Sequence, residues 1–205
     1  MSNIKCVLFD WDGKLQRSST VKYYGYEILC IFLCKQMKQF VFECIELIDS
    51  FFARPRLVLS EFELWKLKKK YRIGIVTNRS KVFMETMLKH AKIKEGFFDV
   101  VGATRGLWNT WCGTSRGWIL IDPKPSLFLS QFQFLAFLKK HKIDFSEILF
   151  VGDDVCDYLS VKGTRVNFAG IATDESRRKK FLEAGLSHEF IFPSLQSALR
   201  YFVFT

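Results

Sequence analysis

The stretch CVLFDWDGKL, residues 6–15, decides how this chain reads. Four apolar residues, Cys6 to Phe9, run on without alternation, as in a strand covered on both faces. The run stops at Asp10. A second carboxylate, Asp12, follows across one bulky aromatic, Trp11, and then comes Gly13. Side chains two apart on an extended chain leave it on the same side, so Asp10 and Asp12 can face one pocket. Gly13 lets the backbone turn tightly beside them.

Outward from this stretch, apolar runs of strand length recur: IGIV at 73–76, FDVV at 98–101, ILFV at 148–151, FIF at 190–192, and one more within VNFAGIA at 166–172. Helical patterns lie between several of them. After Ser80, an expected N-cap, Phe83/Met87 and Met84/Leu88 repeat at i,i+4. Phe128, Phe132, Leu135 and Leu138 form another apolar stripe. Strands alternating with helices predict an α/β fold built on an open parallel sheet.

Two segments break the rhythm. Residues 16–66 hold no convincing strand and read as helical, with apolar residues throughout KQFVFECIELIDSFF at 38–52. The second is GATRGLWNTWCGTSRGWILID at 102–122, which carries Trp108, Trp111 and Trp118 among four glycines. It is expected to be an apolar flap packed on the core, with a substrate-facing lid as the other reading. No internal repeat or low-complexity tract is present.

Composition sets the class. The 205 residues suit one domain, or one carrying a small insertion, and 22 Phe supply ample material for a core. The run ILCIFLC at 28–34 is far too short to cross a bilayer. The first residues do not form a signal-peptide pattern, so the expected location is the cytoplasm. The six cysteines include no C-x-x-C pair, and His90, His141 and His188 are scattered. A zinc site is therefore not expected, and the cysteines read as small buried apolar groups. The formal charge is +10, with short basic runs KLKKKYR at 66–72 and RRKK at 177–180. Both adjoin apparent helices and read as solvated faces, which argues against a nucleic-acid partner. The charge instead favours anionic small molecules.

Parallel sheets hold ligands beyond the carboxyl ends of their strands. After 73–76 come Thr77, Asn78, Arg79 and Ser80. After 148–151 come Gly152, Asp153, Asp154 and, one turn on, Asp157. Lys124 and Pro125 precede the helix leading to that strand. Each piece alone is an ordinary polar strand end; their order and placement together point to phosphoryl transfer. Carboxylates gathered in one place repel unless a cation neutralises them. Mg2+ is the natural choice, since it takes oxygen ligands and retains waters and a substrate phosphate. One acid can attack phosphorus while the other protonates the leaving oxygen and later activates water. Thr77 and Lys124 can hold the equatorial phosphate oxygens.

FDWDGKL, IVTNRS, Lys124-Pro125 and FVGDDVCD resemble, in order, the four motifs of the haloacid dehalogenase superfamily, most nearly its phosphoglycolate-phosphatase-like branch. The resemblance spans the chain outside 16–66 and 102–122. It implies a Rossmann-like core over 1–15 and 67–205, with a small helical cap at 16–66 inserted after the first strand. It further implies Asp10 as the nucleophile and Asp12 as general acid/base, with its main-chain carbonyl on Mg2+. Thr77, with Asn78, would bind the phosphoryl group, and Lys124 would stabilise its charge. Asp153 would complete the metal site, with Asp157 as ligand or support; Asp154 fits a variant of the pattern.

The implied activity is a Mg2+-dependent phosphatase acting on a small phosphorylated metabolite. Alternatives are a phosphosugar mutase or a catalytically weak binding module with the same core. A dehalogenase, which attacks carbon, would need neither Asp12 nor the metal. The chain departs from the family at Lys14, where Thr is usual, and at Ser126-Leu127-Phe128, where a Pro-Asp is common.

Overall fold

The first strand, β1 (Cys6–Asp10), is buried on both sides, and its residues divide between two cores. Val7 and Phe9 lie in one apolar cluster, Cys6 and Leu8 in the other. This alternation, in a run with no polar face, fits a central strand of a covered sheet. The computed structural model describes residues 3–11, 16–17, 56–104, 118–121 and 132–203.

Around β1 the chain builds a layered α/β unit. The elements after β1 are β2 (Gln16–Arg17), β3 (Arg56–Leu57), α1 (Glu61–Lys70), β4 (Arg72–Ser80), α2 (Lys81–His90), β5 (Val100–Thr104), β6 (Trp118–Ile121), α3 (Phe132–His141), β7 (Ile148–Gly152), α4 (Val155–Val161), β8 (Asn167–Ile171), α5 (Glu175–Glu183), β9 (Ile191–Phe192) and α6 (Leu195–Phe202). Seven strands form one sheet in the order β6-β5-β4-β1-β7-β8-β9. Every pairing in it is parallel.

The two cores lie on opposite faces. Leu64 and Leu67 of α1, Phe83, Met84 and Met87 of α2, and Leu195, Ala198 and Leu199 of α6 join Val7, Phe9, Ile73, Ile75, Leu149 and Val151. Phe134 and Leu138 of α3, Val161 of α4 and Phe181 of α5 join Cys6, Leu8, Ile148, Phe150 and Phe168. Strands are added outward on one side of β1 as far as β6 and then on its other side from β7 to β9, and helices α3 to α5, which follow the turning point, pack in the second core.

Five differences separate the structure from the sequence reading. Helix α1 runs across residue 66, and Leu64 and Leu67 are buried in the core layer. Its start is set by a capping box: the Glu63 amide donates to Ser60 Oγ at 3.2 Å and the Ser60 amide donates to Glu63 Oε2 at 2.7 Å. Within 16–66 two short strands occur, β2 and β3, paired antiparallel with Arg17 opposite Arg56. Two-residue strands carry no periodicity to read, yet this pair ties the two ends of the intervening segment together. Residues 18–55, the bulk of the expected cap, lie outside the described residues.

The expected flap at 102–122 supplies strand at both ends. Gly102–Thr104 complete β5, and β6 pairs with it in register from Val101↔Trp118 to Thr104↔Ile121. The three tryptophans and four glycines masked the strand character of WILI. In α3, Leu135 is exposed while Phe134 and Leu138 are buried. The segment FQFLAFLKKH is apolar on several sides, so its periodicity did not set the phase. Of the cysteines, Cys6 is buried as expected but Cys156 is exposed. No helix among the described residues is long and apolar enough to cross a membrane.

Candidate active site

The chain runs outward from β1 through β4, β5 and β6, then returns to the other side of β1 for β7, β8 and β9. Such a switch leaves a crevice beyond the carboxyl ends of the central strands. Three of the residues singled out in the sequence stand at those ends. Asp10 closes β1 and pairs with Val76 of β4, so Thr77 follows immediately beside it. Phe9 pairs with Val151 of β7, and Asp153 follows the last residue of that strand. Thr77 is only 4% exposed.

Trp11 explains the spacing of the acids. It is wholly buried and belongs to the same cluster as Val7 and Phe9, so alternation persists one residue beyond the strand. Asp10 is thereby left on the face of Leu8, toward the layer that contains α4. The Trp11 indole Nε1 has no hydrogen-bond partner among the described residues.

Asp157 sits in the first turn of α4. Its Oδ2 accepts the amide hydrogens of Asp153 and Asp154 at 3.2 and 3.1 Å. Gly152 makes room for it: a Cβ there would lie 2.5 Å from Asp157 Oδ2. Carboxylate oxygens of Asp10, Asp153 and Asp157 all lie within 4.8 Å of one another. Burial above all, then the charges of Asp153 and Asp154, push the Asp157 carboxyl up to about 7 despite those amide bonds. Asp154 has a different task. It is the N-cap of α4, with Oδ1 accepting from the Cys156 amide at 2.8 Å.

Oxygen donors crowded in this way suit Mg2+. Neighbouring oxygens around one octahedral ion about 2.1 Å away lie about 3 Å apart and opposite ones about 4.2 Å, so the three carboxylates would draw together on binding it. A divalent ion would also offset the burial and the neighbouring charges that raise the Asp157 pKa.

The sequence reading missed Arg177. It lies in the first turn of α5, within the run assigned to a solvated face, and its Nη1 donates to Asp153 Oδ2 at 2.7 Å. No local pattern marks it; only the placement of β8 beside β7 brings that helix to the site. Asp12, Lys14 and Lys124 lie outside the described residues, as does the side chain of Asn78.

Solved structures carry the same fold. A predicted phosphatase from Clostridium acetobutylicum superposes with a TM-score of 0.68 at 14% identity, covering 100% of both chains. A haloacid dehalogenase-like family hydrolase from Streptococcus pneumoniae gives 0.63 at 18%, over 98% of this chain and 100% of that one. A protein from Bacillus subtilis named as a HAD-hydrolase, bound to magnesium, gives 0.53 at 12%, over 97% and 98%. No family profile and no curated protein matches the sequence. The chain thus has the fold of the haloacid dehalogenase-like hydrolases, with an acidic cluster that includes Asp10 at the position where such a sheet holds ligands.

Proposed function

We propose that this chain is a Mg2+-dependent phosphatase of the haloacid dehalogenase superfamily, hydrolysing a small phosphomonoester. The observation that carries this reading is the meeting of Asp10, Asp153 and Asp157 within 4.8 Å at the ends of neighbouring strands, beside Thr77. The named phosphatase and the magnesium-bound neighbour among the matching folds lend it support.

In this reading Asp10, Asp153 and Asp157, with the carbonyl of Asp12, would hold Mg2+. The bound ion would neutralise the gathered carboxylates and the charge on the phosphoryl group. An Asp10 oxygen attacks phosphorus, forming an aspartyl-phosphate as the ester P–O bond breaks. Asp12 gives its proton to the departing alkoxide. It then takes a proton from water, which attacks phosphorus, releases inorganic phosphate and regenerates Asp10. Thr77, Asn78 and Lys124 orient the phosphoryl oxygens throughout. The substrate is a small phosphorylated metabolite, and the cytoplasm is its expected location.

The test is a panel of phosphomonoesters with Mg2+, run beside Asp10→Asn. The expected result is phosphate release that stops with chelator and with the variant. Turnover of no ester, or full activity in Asp10→Asn, would overturn the reading. Transfer of phosphate between positions of a sugar, without release, would replace it with a mutase.

A further inference from the structure

The edge of the sheet opposite the acidic cluster is basic and concave. A cleft of about 340 Å3 is lined by Lys5, Lys68, Lys69, Lys70, Arg72 and His141, with Tyr71 and Ile143. Lys5 and Arg72 stand at the starts of β1 and β4, and α1 and α3 end here. A five-residue strand separates this edge from Asp10, roughly 16 Å at the usual rise per residue.

Two sequence runs meet at this place. KLKKKYR reads on its own as the solvated end of a helix, and KKHK at 139–142 is unremarkable. The fold brings them together, and Lys5 Nζ donates to the Lys142 carbonyl at 3.3 Å. Lysines in the last turn of a helix do complement its dipole. That accounts for Lys68, Lys69 and Lys70, but not for Lys5 and Arg72, which come from strand starts.

Five cations line the cleft, and among the described residues two carboxylates pair with them. Asp99 takes Lys68 at 2.8 Å and Arg72 at 3.1 Å, and Glu147 takes Lys5 at 2.7 Å. Lys69 and Lys70 reach no carboxylate among the described residues; they lie 3.9 Å from the Trp65 ring and 5.2 Å from the Tyr71 ring. Lys139, Lys140 and Lys142, all exposed, rim the same edge. The local field is felt by His141, whose pKa is lowered by burial and then by Arg72 and Lys140.

We propose that this cleft is a second anion site, which takes a ligand presenting several adjacent phosphate groups. A single phosphate needs one or two cations, whereas these are spread across the walls of a hollow. The hollow also fits a chain of phosphates better than a flat lipid surface. The chemistry is common to a free polyphosphate and to the backbone of a single-stranded nucleic acid. The proposal does not rest on the phosphatase reading.

The experiment measures binding of inorganic tripolyphosphate and of a labelled single-stranded oligonucleotide, in chelator and at physiological ionic strength. Wild type is compared with Lys69→Glu/Lys70→Glu and with Asp10→Asn. The expected result is binding that falls about tenfold or more in the double variant, as two reversed charges imply, and stands unchanged in Asp10→Asn. Tripolyphosphate binding identifies a small-molecule site; binding of the oligonucleotide alone identifies the nucleic-acid backbone as the source. Circular dichroism checks that the double variant folds. In wild type, either probe should also shield Lys69 and Lys70 from acetylation. Binding of neither probe, equal binding by the double variant, or retention only on anionic vesicles would overturn the proposal.

Discussion

Arg177 Nη1 donates to Asp153 Oδ2 at 2.7 Å, while an oxygen of the same carboxylate lies within 4.8 Å of Asp10 and Asp157. One side chain thus faces both a fixed cation and the place proposed for a divalent ion. The guanidinium offsets part of the charge that three acids gather, and it repels any second cation arriving there. Arg177→Ala should therefore bind Mg2+ more tightly, by several-fold, since a partly exposed charge pair is worth up to about 1 kcal/mol. Arg177→Lys should stay close to wild type. Calorimetric titration of chelator-stripped protein measures both. Weaker binding by Arg177→Ala would mean that the guanidinium serves to orient Asp153 instead.

Gly152 ends β7 where the Asp157 carboxylate folds back over the backbone. An added methyl would come 2.5 Å from Asp157 Oδ2 and 2.6 Å from its Cβ. Asp157 cannot withdraw without giving up the amides of Asp153 and Asp154. Gly152→Ala should lose about 1–3 kcal/mol of stability, as overpacked sites do, and most of its Mg2+ affinity. Denaturant unfolding and metal titration check the two effects. A variant as stable as wild type would show that α4 yields more easily than its contacts imply.

Burial and the neighbouring acids raise the Asp157 pKa to about 7, above the ordinary carboxylate value. A carboxyl raised on folding contributes stability that is fully present below its unfolded pKa and is lost as pH rises through the folded one. Metal-free protein should accordingly lose stability between about pH 4 and pH 7 through this group. Asp157→Asn should flatten that slope, and Mg2+ should restore stability to wild type at neutral pH but not to the variant. Thermal melts across this range, with and without the ion, provide the measurement.

Much of this architecture is written locally. CVLF and ILFV are apolar without alternation, and they became the two adjacent central strands whose ends hold Asp10 and Asp153. Phe83, Met84 and Met87 repeat at helical spacing and are buried. What sequence did not reveal depends on neighbours in space. Arg177 reaches Asp153 across 24 positions because β8 lies next to β7. Strand β6 is four residues long at the sheet edge, amid tryptophan and glycine. The basic cleft needs α1 and α3 to end at one edge, which neither run states by itself. Asp154 and Asp157 could not be told apart by spacing, since both are acids near a helix start; in the structure both take part in capping α4, and an Asp157 carboxylate oxygen also lies within 4.8 Å of Asp10 and Asp153.

Asp99 joins three elements at the basic edge. It accepts the Ile73 amide at 2.9 Å, pairs with Lys68 and Arg72, and precedes β5. Burial pushes its carboxyl up, but the Lys68 ammonium, the Ile73 amide and Arg72 outweigh this and hold its pKa below the ordinary value. A carboxyl depressed on folding contributes stability present above its unfolded pKa, and that stability fades as pH falls through the folded one. Asp99→Asn should cost about 1–3 kcal/mol at neutral pH, since it leaves two cations and a strand amide without their charged acceptor. Below about pH 4 the gap between variant and wild type should close. Urea unfolding at neutral and acid pH tests this. A constant difference at both would mean that Asp99 acts through packing rather than charge.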